Sequence, residues 1–289
     1  MTFSIEREIT IISLLLASIL DDAVHTIRDE HPLLSRIAFP TSAARHLELG
    51  ADVREKLLRQ AKYDVPLFTQ GARFAFEDAA EKDLLIRRTA DLVRVFVGDL
   101  RSSILRSLFS ATGVAHGLNT LLPEKVGGNV IAGIDEADVH GWRSKMCGVQ
   151  PRADGSMIPI VQHLQQLASV CSRDGTFPDL TVLGRNAWLE FWDAMRQQQV
   201  FIVTNDDRAL PMFNGGVIYC DPSCAPEDGY MLHTSDFELH HSPISVTAGP
   251  LFEVPQIGVS INHHRQLVTC RRYRSGRLSR SATVTEARS

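Results

Sequence analysis

Apolar positions recur at helical spacing in two long runs of this chain. In residues 4–30 the run from Ile9 to Leu20 supplies the apolar face of an N-terminal helix, and Pro32 stops the pattern. In residues 79–110, Leu85, Leu92, Phe96, Leu100, Ile104 and Leu108 form a single stripe, widened by Ile86, Val93 and Val97. Asp78 stands at the N-cap position, and Glu81 and Asp83 fall in the first turn, where the helix dipole favours acidic side chains. Arg87, Arg88, Arg94, Arg101 and Arg106 cover much of the remaining surface. At 1.5 Å per residue such a helix is roughly 45 Å long. That is the width of a compact domain, so the rest of the chain is expected to fold along it.

Elsewhere the periodicities are shorter. Residues 46–49 and 73–76 alternate weakly around a charged stretch broken by Gly50, Pro66 and Gly71, which predicts an extended hairpin or long loop over 46–76. Residues 117–146 are rich in Gly and polar residues and read as irregular structure with short strands. A helix is predicted over 157–172, with Ile158, Val161, Leu164, Leu167 and Ala168 on one face. A strand over 179–183 then precedes a helix over 185–198 with Trp188, Phe191, Trp192 and Met195 inward, and residues 201–203 make another strand. Asn214-Gly215 is a type I′ hairpin signal, because both central residues of that turn need positive φ. Further strands are expected at 216–220, 230–233, 244–246, 257–261 and 267–273, ahead of a loose polar tail over 274–289. The sum is an α+β chain with no βαβ alternation and no internal repeat.

Composition adds little to this picture: 44% hydrophobic, 22% charged and a net charge of -4 point to neither a nucleic acid nor a membrane surface. Lysine occurs only at 56, 62, 82, 125 and 145, and arginine supplies the other cations. Arginine suits interfaces, because its planar fork binds carboxylates and phosphates; a coding bias toward GC-rich codons gives the same balance. The five cysteines are odd in number and follow no secretory signal, which argues for reduced thiols. The apolar run in the first helix is too short to span a bilayer.

The candidate chemistry is sparse. His240-His241, His263-His264 and His233 invite a metal site, but their spacing matches no ligand pattern, and adjacent histidines in a strand point to opposite faces. Cys220 and Cys224 straddle a proline turn without a second pair at zinc spacing, so two free thiols are the better reading. Gly127-Gly128 and Gly133 form no phosphate loop, and no nucleophile elbow is present. The sequence therefore supports neither an enzyme nor a bound cofactor or metal. Arg265, Arg271, Arg272, Arg274, Arg277 and Arg280 make a local basic cluster, read as a solvated strand edge and tail rather than as a nucleic-acid backbone site.

Four stretches and a closing strand carry a resemblance. They are HPLLSRI (31–37), GGNVIAGIDEADVHGWRSK (127–145), FPDLTVLGRNAWLEFWDAMRQQQVF (177–201), GGVIYCDPSCAPEDGYMLHTSDFEL (215–239) and RRYRSGRL (271–278). Their order and spacing resemble the major capsid protein of tailed phages, the Hong Kong 97 type, over residues 25–280. His233 stands where that family more often has Asn.

The resemblance implies a Hong Kong 97-like fold with an N-terminal arm and helix over 1–45 and an extended β-hairpin over 46–78. It further implies a peripheral domain over 79–114 and 226–289 with the spine helix, and an axial domain over 115–225. It implies a structural protein of a double-stranded DNA phage, built into hexamers and pentamers of an icosahedral virion capsid in the host cytoplasm. Scaffolding, portal and decoration proteins would be its partners, with non-specific contact to packaged DNA and no membrane. Where scaffolding is required, the short stretch before His31 implies that a separate protein supplies it. Subunit-contact candidates are Arg54, Lys56, Arg59 and Lys62 in the arm, and the Trp142-Arg143 pair. Some relatives join subunits through a Lys–Asn bond, but no acidic catalyst or partner Asn is evident for Lys56 or Lys62, so no crosslink is expected. Two other readings remain: an encapsulin-like compartment shell on the same fold, and a metal-dependent enzyme using the C-terminal histidines.

Overall fold

The computed structural model describes residues 2–41, 46–48, 62–64, 73–77, 82–109, 117–124, 129–131, 134–136, 143–148, 158–172, 175–197, 210–241, 243–250, 256–262, 265–269 and 272–279. The N-terminal helix α1 (Thr2–Glu30) is followed by β1 (His46–Glu48), β2 (Lys62–Asp64), β3 (Arg73–Glu77) and the long helix α2 (Lys82–Leu108). Next come α3 (Leu118–Leu121), β4 (Val130–Ile131), β5 (Ile134–Asp135), β6 (Lys145–Gly148), α4 (Ile160–Cys171), β7 (Leu180–Leu183) and α5 (Arg185–Gln197). The remainder is all strand: β8 (Met212–Phe213), β9 (Gly216–Cys220), β10 (Asp228–Leu232), β11 (Phe237–His241), β12 (Ser245–Pro250), β13 (Gln256–Asn262), β14 (Arg265–Thr269) and β15 (Gly276–Ser279). No described helix is long and apolar enough to cross a membrane.

A six-stranded sheet in the order β6-β15-β10-β7-β9-β8 divides the molecule into two cores. The division follows from the two-residue period of a strand. Leu180, Val182, Tyr219, Tyr230 and Leu232 face a large core with Leu16, Leu20, Val24 and Ile27 of α1 and Phe96, Leu100, Ile104 and Leu108 of α2. Their sequence neighbours Leu183, Ile218 and Met231, with Leu278, face a smaller core built with Ile160, Leu164 and Leu167 of α4 and Phe191 of α5. Every residue of β10 is buried, as a central strand covered on both faces requires. Each fully buried Leu or Phe contributes about 1.5–3 kcal/mol of transfer free energy.

The sheet corrects the expectation of no βαβ alternation. Strands β7 and β9 pair in parallel, with α5 in the connection between them, and β6 runs parallel to β15 at the far edge. The signal was hidden because β6 is only four residues long and half-buried throughout. The hairpin at Asn214-Gly215 is as expected: both residues have positive φ (50° and 84°), and Phe213 pairs with Gly216. The helix α5 buries Phe191 and Met195, but Trp188 and Trp192 are only half-buried, stacked edge-on with ring centres 5.5 Å apart.

Two further expectations change. The arm strands 46–49 and 73–76 do not pair with one another. Instead β1 pairs with β2, and β3 joins β13 and β12 in a three-stranded sheet. The strand expected over 267–273 ends at Thr269, and the last strand is β15, inside the stretch read as a loose tail. The six-stranded sheet takes strands from both sides of position 225, since β10 and β15 lie beside β7. The N-cap expected at Asp78 and the strand expected at 201–203 lie outside the described residues.

Candidate functional site

Among the described residues no cluster of chemically reactive side chains stands out, and the arrangement is best described as a framework that holds exposed surfaces in place. The framework begins at the end of α1. His31 Nε2 lies 2.9 Å from Asp221 Oδ2, and Asp221 is buried at the close of β9. The other Asp221 oxygen accepts the Ser223 N–H at 2.8 Å, which fixes the Asp-Pro-Ser-Cys turn. Beneath that turn Gly184 is obligatory, because a Cβ there would sit 1.9 Å from the Ala225 carbonyl oxygen.

The arginines form the second part. Arg272 is fully buried, with Nη2 2.6 Å from Glu136 Oε1 and Nε donating to the Leu121 carbonyl. Glu136 in turn accepts from Asn129 Nδ2 at 2.9 Å, and its backbone carbonyl accepts from Arg143 Nε at 2.8 Å. Arg277 Nη2 meets Asp228 Oδ2 at 2.5 Å, and the guanidinium carbon lies 5.8 Å from the centre of the Tyr230 ring. Arg274 Nη1 lies 3.2 Å from Asp236 Oδ1. The expected solvated basic edge and tail are thus corrected at Arg272, Arg274 and Arg277: each guanidinium is turned inward onto a carboxylate. Glu136, Asp228 and Asp236 come from distant segments, which is why the sequence showed a cluster of cations and not a set of pairs.

The histidines have separate partners. His240 Nε2 is 2.7 Å from Glu238 Oε2, His241 stacks on Phe39 with centres 4.1 Å apart, and His233 Nδ1 is 3.3 Å from Arg274 Nη2. Among the described residues no three His, Cys, Asp or Glu side chains converge to hold a metal ion. His263 and His264 lie outside the described residues. The described cysteines are free thiols, and burial pushes each of them up; Cys171 reaches about 12. Such thiols stay protonated and are poor nucleophiles and ligands.

Of the contact candidates, Arg54, Lys56, Arg59 and Trp142 lie outside the described residues. Lys62 is placed in β2, in register with Glu48 of β1. Arg143 has its Nε engaged within the subunit, as above. Sequence reasoning did not single out a set of exposed apolar side chains, Val170, Phe177, Leu189 and Met212, each more than half exposed around α4, α5 and β8. On a helix, Leu189 could have been found by its place opposite the Phe191 and Met195 stripe.

No protein-family model matches the sequence, and neither does any curated protein. Solved structures do match. The SrpI encapsulin of Synechococcus elongatus PCC 7942 superposes with a TM-score of 0.59 at 12% identity, over 91% of this chain and 92% of the encapsulin. A chain of the cyanophage A-1(L) capsid gives 0.54 at 15% identity, over 85% and 90%. The virus-like particle of Pyrococcus furiosus gives 0.51 at 10% identity, over 91% and 97%. The chain has the Hong Kong 97-like α+β fold found in phage capsids and encapsulins.

Proposed function

We propose that the chain is a shell-forming structural protein, the major capsid protein of a tailed double-stranded DNA phage, assembling into hexamers and pentamers of an icosahedral capsid. The observation that carries this reading is the fold: a capsid-type architecture spans about nine-tenths of the chain, with the long helix α2 and the arm strands β1 and β2 in order. In this reading α1, α2 and the β11–β14 pair form the peripheral part, and the six-stranded sheet with α4 and α5 forms the part nearer the capsomer centre. The arm over 46–78 reaches a neighbouring copy through Arg54, Lys56, Arg59 and Lys62. Trp142 and Arg143 contribute a second contact. Each contact can be modest, because a closed shell repeats it many times and the copies act as a multivalent array. The particle needs no catalytic residue, and it encloses DNA through non-specific contact. Arg272, Arg274 and Arg277 are excluded from that contact by their buried carboxylate partners.

An encapsulin-like compartment is the second reading, favoured by the superposition on SrpI. Negative-stain electron microscopy of the expressed chain tests the shared claim: closed particles are expected, and uniform single protomers would refute it. Nuclease treatment and absorbance of purified virions or native particles then separate the readings. Nuclease-protected double-stranded DNA supports the phage capsid; a protein cargo without DNA supports the compartment.

A further inference from the structure

The chain passes between the six-stranded sheet and the β11–β14 pair twice, and both crossings meet at one cluster of charged side chains. The outward crossing, residues 233–236, leaves β10 and enters β11; the return, described over residues 272–275, lies between β14 and β15. Arg274 on the return bonds to three partners. Nη1 is 3.2 Å from Asp236 Oδ1 and Nη2 is 3.3 Å from His233 Nδ1, both on the outward crossing. Nη2 also donates to Thr176 Oγ1 at 2.8 Å. The crossings touch again where the His233 N–H donates to Ser275 Oγ at 3.3 Å. Asp179, just before β7, closes the cluster: it accepts the Thr234 N–H at 2.7 Å and the Thr234 hydroxyl.

This geometry has a chemical consequence. A guanidinium carries only donors, so His233 Nδ1 must accept, and the imidazole must be neutral while Arg274 holds it. Protonation of His233 would place two cations face to face. Protonation of Asp236 would remove the charge that strengthens its bond to Arg274. We propose that Arg274 and its partners form a proton-sensitive latch that holds the two crossings together, sets how the β11–β14 pair is carried on the six-stranded sheet, and through that the geometry of the assembled shell. The shell clause rests on the function proposed above; the latch itself does not.

The charged neighbours place the response in mild acid. Burial, with Asp179 adding to it, outweighs Arg274 and pushes the Asp236 carboxyl up to about 6. Burial and Arg274 push the His233 imidazole below its ordinary value, against the pull of Asp179 and the Cys171 backbone. As pH falls, proton uptake by Asp236 favours the closed crossings, because relief of its buried charge outweighs the weakened bond, whereas proton uptake by His233 sets two cations together and loosens Arg274.

Amide hydrogen exchange on the full chain tests this, at about pH 7.5 and about pH 5, with rates corrected for the intrinsic pH dependence of exchange. In the wild type, opening at 233–236 and 272–275 should rise about tenfold on acidification, while 229–232 in β10 stay protected. Asp236→Asn, which removes the group that opposes acid opening, should show a larger rise than the wild type at the lower pH. Arg274→Lys, which keeps the charge and loses the fork, should open both crossings already at the higher pH and carries the test should Asp236→Asn also expose β10. Crossings that ignore pH in both the wild type and Asp236→Asn, or an Arg274→Lys that matches the wild type at the higher pH, overturn the latch. In parallel, Arg274→Lys should change particle diameter or yield open sheets in electron micrographs, and unaltered particles would overturn the latch's role in shell geometry. Absence of particles from wild type and variant alike refutes the shell reading, and the exchange result alone then decides the latch.

Discussion

The two faces of the six-stranded sheet are covered by different routes. One face carries α4 and α5, which lie within residues 160–197 and flank β7, so the small core draws its helices from a short stretch of chain. The other face carries α1 and α2 from the N-terminal third, far in sequence from the strands they cover. That side also holds the polar pins: His31 on Asp221, Arg272 on Glu136, Arg277 on Asp228, and the Tyr230 hydroxyl on Asn119. Apolar area is enough to close a local core. Elements brought together from distant parts of the chain are additionally fixed in register by paired charges, whose desolvation makes any mismatch expensive.

Substitutions on the two sides sharpen this contrast. Glu136→Ala strands the buried Arg272 guanidinium and should cost about 3–5 kcal/mol in chemical denaturation. Phe191→Ala in the small core should cost a similar 3–5 kcal/mol or so by leaving a cavity. The two differ in rescue. Arg272→Met combined with Glu136→Leu should cost less than the sum of the single changes, whereas no second change recovers Phe191→Ala so simply; additive costs for the ion pair would refute the pinning argument. Gly184→Ala, forced against the Ala225 carbonyl, should cost about 1–3 kcal/mol. On the outer surface the effects shrink. Arg101 and Glu30 pair at 3.0 Å with both side chains about half exposed, so Arg101→Ala should cost less than about 1 kcal/mol, and less still in high salt. Gly98 is exposed within α2 with nothing near its missing Cβ, so Gly98→Ala should stabilise by about 0.5–1 kcal/mol.

The pH dependence has a definite sign. Asp236 is raised from its ordinary 3.8 to about 6, so the stability it contributes is full below 3.8 and is lost as pH rises through about 6. His233 is lowered, so its contribution is present above 6.5 and is lost as pH falls through its folded value. Asp236→Asn should flatten the upper part of the stability curve, between 3.8 and about 6, and leave the His233 loss in place.

The contrast between the faces also explains what could be read from the sequence. The helices α1, α2, α4 and α5 and the Asn214-Gly215 turn were legible because each is declared by a local period or a local backbone demand. The β15 strand was not, because Arg277 within Gly-Arg-Leu-Ser becomes a strand residue only when Asp228 and Tyr230 are brought beside it. Pairing of β3 with β13 was likewise invisible, since nothing near Arg73 points to residues almost two hundred positions away. The order of motifs along the chain conveyed the fold as a whole. It could not convey the pins, the latch or the exposed apolar set at Val170, Phe177, Leu189 and Met212, which exist only once the chain is folded.

Sedimentation velocity of the purified chain over a wide concentration range tests the central claim most directly. A self-assembling shell subunit predicts a fast boundary at the size of a closed particle, with little material between it and the protomer. A single slow boundary at protomer size, unchanged up to high concentration, would contradict the account.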